Sequence, residues 1–125
     1  MNFLLDTHVL LWWLNDSPEL SEAGRATISD PDNLIVLSSV VILEIRIKQA
    51  LGKLEIDPDF YTVLKTQRFD NLPITTDHAY EVGNLPMHHR DPFDRMIIAQ
   101  ANLEGFCVIT HDNIFKKYGV PILEI

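Results

Sequence analysis

Cysteine is almost missing from this chain: Cys107 stands alone among 125 residues, so no internal disulfide can form. Its place in the apolar run "GFCVIT" makes it a small core residue, and redox chemistry is not expected of it. No stretch approaches the ~18 consecutive apolar residues of a membrane span, which closes the membrane reading. The opening Met-Asn-Phe-Leu-Leu-Asp has neither a basic n-region nor a small-residue cleavage site, so no signal peptide and a cytosolic address are expected. Basic residues are few, ten Lys and Arg against eighteen Asp and Glu, and a net charge of -8 excludes a simple nucleic-acid-coating surface. It does not exclude a metal-dependent nuclease, because bound cations invert the local electrostatics, and it favours a basic partner. Repeats, low-complexity tracts and long Gly/Ser linkers are absent too, so one domain over residues 1–125 is expected.

What is present is an alternation of short apolar runs and helical segments. "NFLLD" fits a buried strand and "THVLLWWL" a helix opened by Thr7. In "SPELSEAGRATISD", Ser17 and Pro18 signal a helix start, with Leu20, Ala23 and Thr27 along one face. "NLIVLS" is a second strand. "SVVILEIRIKQALG" alternates like a strand over Ile45 to Lys48, yet Val40, Leu43, Ile47 and Leu51 recur with helical spacing; its length favours helix, stopped at Gly52. "DPDFYTVLKTQRF" reads as helix, "LPI" as a short strand, and "TTDHAYEVGNL" as helix. In "DPFDRMIIAQANLEG", Asp91 is an N-cap, Pro92 the first helical residue and Gly105 the stop. Strand "FCVIT", short helix "DNIFKKYG" and strand "PILEI" complete the chain. Strands separated by helical crossovers imply an α/β fold, a parallel sheet flanked by helices on both faces.

In such sheets the functional site lies outside the carboxyl ends of the strands. Asp6 follows the first strand directly, and Asp112 follows "FCVIT" by two residues. Glu44 lies about one turn into the helix after the second strand, and Asp94 in the first turn of the "DPFD" helix. Helices that follow strands begin at the same rim, so all four acids can line one pocket. Unit charges ~5 Å apart at an effective dielectric near 20 repel by ~3 kcal/mol per pair, so protons or cations must intervene. Oxygen-only ligands suit Mg²⁺ or Mn²⁺, ions that activate water for in-line displacement at phosphorus. A metal-ligand role explains why "FLLDTHVLLWWL" tolerates a carboxylate at Asp6, where an unpaired buried charge costs several kcal/mol.

Each acid also has a purely structural reading. Asp6 and Asp112 can serve as helix caps, Asp94 can favour a helix N-terminus, and Glu44 with Lys48 has the i, i+4 spacing of a surface ion pair. Trp12 and Trp13 are consecutive and cannot face one core direction, so one is expected inside and the other at a partner surface or under the "SPELSEAGR" helix.

Four segments, "LLDTHVLLWWL", "EIRIKQALGKL", "HHRDPFDRMIIAQA" and "VITHDNIFKKYGVPIL", resemble in order and separation the signatures of PIN-domain ribonucleases, in particular VapC-type toxins. The resemblance implies a compact three-layer sandwich around a parallel sheet, with an acidic pocket that binds Mg²⁺ or Mn²⁺ and hydrolyses RNA. Carried over, the family's acids fall on Asp6, Glu44, Asp94 and Asp112. Asp94 is preferred to Asp91 because it directly precedes the "RMIIAQA" run; Asp91 and Thr110 remain as candidates just behind the ligands. Asp6, Asp94 and Asp112 would hold metal, and Glu44 would orient the attacking water or complete a second metal site. The Asn that many relatives carry two residues after the first Asp is His8 here. Arg90 and Arg95 flank the pocket segment, with surface ion pairing favoured over phosphate binding for either, while His88 and His89 are expected to serve a loop. The resemblance further implies a homodimer and a VapB-like antitoxin whose C-terminal tail enters the groove. Two readings compete with the toxin nuclease. One is a catalytically inactive PIN-like binding module. The other, a phosphatase of the haloacid dehalogenase type, wants Asp at position 8 and meets His8.

Overall fold

The computed structural model describes residues 1–125. Phe3, Leu4 and Leu5 of β1 (Asn2–Leu5) are all buried, as a strand covered on both faces requires. Asp6 ends that strand and caps α1 (Thr7–Leu14). There follow α2 (Glu22–Ser29), β2 (Leu34–Ser38), α3 (Ser39–Ala50), α4 (Phe60–Lys65), β3 (Asp70–Leu72), α5 (Thr76–Val82), α6 (Pro92–Glu104), β4 (Cys107–Thr110), a 3-10 helix (Asn113–Tyr118) and β5 (Ile122–Glu124). All strand pairs are parallel, in the order β3-β2-β1-β4-β5. Flanked by helices, this sheet is the expected PIN-like α/β sandwich. No helix is long and apolar enough to cross a membrane.

β1 is the central strand. Leu4 pairs with Val36 on one side and with Val108 on the other, and these residues join Leu5, Val9, Leu10, Ile45, Ile97, Ile98, Ile109 and Phe115 in one hydrophobic cluster. The chain winds outward from β1 to β3, then returns through α5 and α6 to place β4 on the far side of β1. The carboxyl ends of β1 and β4 therefore flank the point where the winding reverses, the crevice in which open α/β sheets place their sites.

Several element boundaries differ from the sequence expectation. Ser17 and Pro18 do not start α2: the Ser17 hydroxyl accepts the Glu19 amide in an isolated turn, and Ser21 is the true cap, accepting the Gly24 amide. The break lets Leu20 bury, and the inward face of α2 is Gly24 and Ile28, not Ala23 and Thr27. α4 is only six residues long, because Asp57 and Pro58 form a turn and Asp59 makes no side-chain cap bond. β3 is "DNL", two residues before the expected "LPI". Tertiary pairing of Asp70, Asn71 and Leu72 with Val36, Leu37 and Ser38 overrides poor strand propensity at an edge, and Pro73 ends the ladder. On α3 the buried residues are Val40, Val41, Glu44 and Ile45, whereas Leu43, Ile47 and Leu51 are 48%, 39% and 63% exposed, so of the apolar stripe read from the sequence only Val40 faces inward. α6 matches its signals fully: Asp91 accepts the Phe93 and Asp94 amides, Pro92 is its first residue, and Gly105 closes it at φ +75, the left-handed conformation in which a Cβ is strained.

Candidate functional site

At the carboxyl end of β1, Asp6 is only 3% exposed. Its Oδ1 accepts the Thr7 amide at 2.7 Å, and its Oδ2 accepts the hydroxyl of Thr110, the last residue of β4, also at 2.7 Å. The two central strands are thus tied together at the rim, since the Asp6 amide donates to the Ile109 carbonyl at 3.1 Å. The Thr7 hydroxyl turns to α3 and donates to Glu44 Oε1 at 2.6 Å, while Lys48 one turn on donates to Glu44 Oε2. The i, i+4 pair exists, but it is no surface bridge: Glu44 is 4% exposed. Asp112 caps the 3-10 helix through the Ile114 amide at 3.0 Å, and its own amide donates to the Thr110 hydroxyl at 3.0 Å. The structural and functional readings of these acids are therefore compatible. Asp6 and Asp112 each give one carboxylate oxygen to a backbone amide, whereas both oxygens of Glu44 accept from side chains.

Asp94, one turn into α6, shows how near the acids stand. Its carboxyl is pushed up to about 8, first by burial and then by the negative charges of Asp6, Asp91, Glu44 and Asp112. Burial also raises Asp6, against the opposing hydrogen bonds of Thr110 and Thr7. Glu44 in turn holds the Lys48 ammonium above the ordinary lysine range, with Asp91 and Asp94 contributing charge. All four acids expected at the pocket, with Asp91 as a fifth, thus share one electrostatic neighbourhood. No three of them stand close enough together to grip one metal ion directly. An oxygen-only set of mutually repelling carboxylates still fits a hard divalent cation, because Mg²⁺ retains several waters and reaches part of its ligands through them.

A family model described as "PIN domain" matches residues 3–121, which takes in every one of these acids. The chain belongs to the PIN domain family. Among solved structures, it resembles VapBC2 from Rickettsia felis bound to a promoter DNA fragment, with a TM-score of 0.76 at 17% identity over 99% of this chain and 98% of that one. DNA-bound VapBC from Salmonella typhimurium gives a TM-score of 0.71 at 21% identity over 99% and 98%. VapBC-5 from Mycobacterium tuberculosis gives 0.64 at 22% identity over the same shares, 99% and 98%. No curated protein matches by sequence.

Around the acids of this PIN domain lie residues that sequence reasoning placed differently. Arg95 neither pairs with a surface carboxylate nor faces the pocket as a phosphate ligand. It is 6% exposed, and its guanidinium donates to the carbonyls of Pro86, Val82, Leu85 and His89 and to the Tyr118 hydroxyl, at 2.8 to 3.5 Å. His89 does more than serve the loop, since its Nε2 lies 3.3 Å from Asp94 Oδ2 and its Nδ1 2.8 Å from the Tyr118 hydroxyl. Neither tryptophan is fully buried: Trp13 donates to Gln67 at 2.9 Å, and Trp12 lies against His111. Sequence spacing carries no signal for the contacts of His89 with Tyr118 or of His111 with Trp12, because each joins segments brought together only by the fold. Cys107 is half-buried beside the core, and burial pushes its thiol up, in keeping with a packing role.

Proposed function

We propose that this PIN domain is a metal-dependent endoribonuclease of the VapC type, the toxin of a toxin-antitoxin pair. The observation that carries the reading is the gathering of Asp6, Glu44, Asp94 and Asp112 at the carboxyl rim of the two central strands, with Asp94 displaced to about 8 by burial and its neighbours. Asp6, Asp94 and Asp112 would hold Mg²⁺ or Mn²⁺, some of them through water. When bound, the ion supplies a more acidic water and neutralises charge at phosphorus. Glu44, fixed by Thr7 and Lys48, keeps a buried carboxylate at the rim where it accepts a proton from, or orients, the attacking water. Asp91 sets the start of α6 and so the placement of Asp94, and Thr110 fixes the carboxylate plane of Asp6. His89, backed by Tyr118, orients Asp94 from the other side.

The test is direct. Purified protein is expected to cut single-stranded RNA in Mg²⁺ or Mn²⁺ and to stop when EDTA removes the ion, as followed on an end-labelled RNA. Cleavage that continues in EDTA would sink the metal-dependent mechanism, and folded protein that never cuts RNA would favour the binding module instead.

Lys48 gives a second expected outcome. Lys48→Met removes the ammonium that offsets the acids, so Mn²⁺ should bind at least several-fold more tightly by calorimetry. The metal-free protein should lose about 1–2 kcal/mol, a modest figure because the Lys48 side chain is 38% exposed. Unchanged Mn²⁺ affinity would show that Lys48 does not compete for the site.

For partners, the proposal is a homodimer and a VapB-like antitoxin. Support comes from the exposed apolar residues Leu43, Ile47 and Leu51 along and just beyond α3 and from the toxin-antitoxin proteins among the structural neighbours. The acidic rim would accept a basic side chain of the antitoxin for the same reason that it accepts a cation.

A further inference from the structure

Three rings from two distant segments meet beside the acids. His8 stands in the first turn of α1, two residues beyond Asp6, and Trp12 is one turn further along the same helix. His111 sits between Thr110, which is bonded to Asp6, and Asp112. The Trp12 and His111 ring centroids are 4.7 Å apart at an interplanar angle of 51°, the His8 and His111 centroids 5.6 Å apart and nearly perpendicular, and the His8 and Trp12 centroids 6.0 Å apart. Both imidazoles are exposed, and neither makes a hydrogen bond to the protein, whereas His78 and His89 are each held by several. Imidazoles that stabilise a fold are usually bonded at a ring nitrogen. These two instead present ring surface to solvent beside Asp6 and Asp112. The trio is not a metal site, since no cluster of three or more His, Cys, Asp or Glu with ligand spacing includes them.

We propose that His8, Trp12 and His111 form a stacking platform for a nucleobase of single-stranded RNA, the base next to the phosphodiester presented to the acids. The proposal rests on the nuclease reading and adds a substrate subsite to it. An acidic rim in a chain of net charge -8 gains little from long-range attraction to phosphate, so grip on the substrate must come from elsewhere. Stacking supplies it independently of charge, and every base has a face to offer, so the platform demands an unpaired base without fixing its identity. Duplex RNA, whose bases are already stacked on one another, would be disfavoured.

The experiment uses full-length protein carrying Trp13→Phe, which leaves Trp12 as the sole indole. It is mixed in Mn²⁺ with a single-stranded RNA hexamer or with an abasic hexamer of the same backbone, and Trp12 emission is followed by stopped flow before turnover. The intact hexamer is expected to quench Trp12 and to bind about tenfold or more tightly than the abasic one. His111→Ala, a change at an exposed loop position, should erase most of that difference while leaving abasic binding and Mn²⁺ affinity unchanged. Trp12→Phe, which keeps a ring, should retain preference for the intact hexamer in a fluorescence-anisotropy assay. RNA that is cut, yet binds equally with and without bases, overturns the platform alone. A full base preference in the His111→Ala protein overturns it too. RNA that neither binds nor is cut overturns the nuclease reading and the platform together.

Discussion

Asparagine at position 94 is expected to abolish metal-dependent RNA cleavage and, in the metal-free protein, to make the fold more stable. The two effects have one cause. Asp94 is a carboxyl of ordinary value 3.8 that burial and four neighbouring carboxylates push up to about 8. Between those values the folded chain binds a proton that the unfolded chain has lost, so the stability contributed by the protonated carboxyl is complete below about pH 4 and drains away as pH rises toward 8. Over that span the loss is on the order of several kcal/mol. A neutral isostere does not incur it. In EDTA, urea unfolding at pH 8 should therefore show Asp94→Asn more stable than wild type by a few kcal/mol, with the gap closing by pH 4. With Mn²⁺ the order should reverse, because the ion binds the wild-type carboxylate and stabilises only the folded state. Cleavage should fall at least a hundredfold, the scale expected when a metal-held reaction loses a ligand. A variant less stable than wild type in EDTA at pH 8 would show that the acids do not crowd Asp94. One that still cuts RNA at the wild-type rate would remove it from the site.

The residues that made this site legible in the sequence are those whose position follows from connectivity. Asp6 and Asp112 trail strands, and Glu44 and Asp94 sit in the early turns of helices, so a parallel sheet alone carries these four to one rim. The helix signals at Asp91, Pro92 and Gly105 were equally local and placed α6 to the residue. What sequence could not carry was anything decided by long-range packing. The outward stripe on α3 has the period of a buried face, and only the contact of the helix with α1 and α6 shows that Val41, Glu44 and Ile45 point inward instead. The start signal at Ser17 and Pro18 gave only a turn, and α2 begins instead after Ser21, with Leu20 buried between them. The Glu44–Lys48 pair had correct spacing and the wrong environment, because i, i+4 geometry says nothing about which side of the helix is covered.

Arg95 is the clearest case of a residue whose role only the fold reveals, and its loss is expected to destabilise the loop it holds. Its guanidinium fork enters the loop between α5 and α6, where one nitrogen donates to the carbonyls of Pro86 and His89 and to the Tyr118 hydroxyl and the other to the carbonyls of Val82, at the end of α5, and Leu85. A planar group with five donors can serve so many acceptors at once; an ammonium offers three donors from a single point. Arg95→Met keeps the aliphatic stem and strips those acceptors of their partner. These carbonyls are only partly buried and that of Val82 also accepts the Leu85 amide, so several can turn to water or the backbone, and at ~1–3 kcal/mol for an acceptor left unsatisfied the cost is about 2–3 kcal/mol. Lysine should recover less than half of it. The loop so released carries His89 onto Asp94 and leads into the Asp91 cap, so cleavage should fall alongside stability, and protease nicking should appear first between residues 83 and 90. A methionine variant that unfolds in urea within about 1 kcal/mol of wild type would mean that the carbonyls are satisfied without the guanidinium.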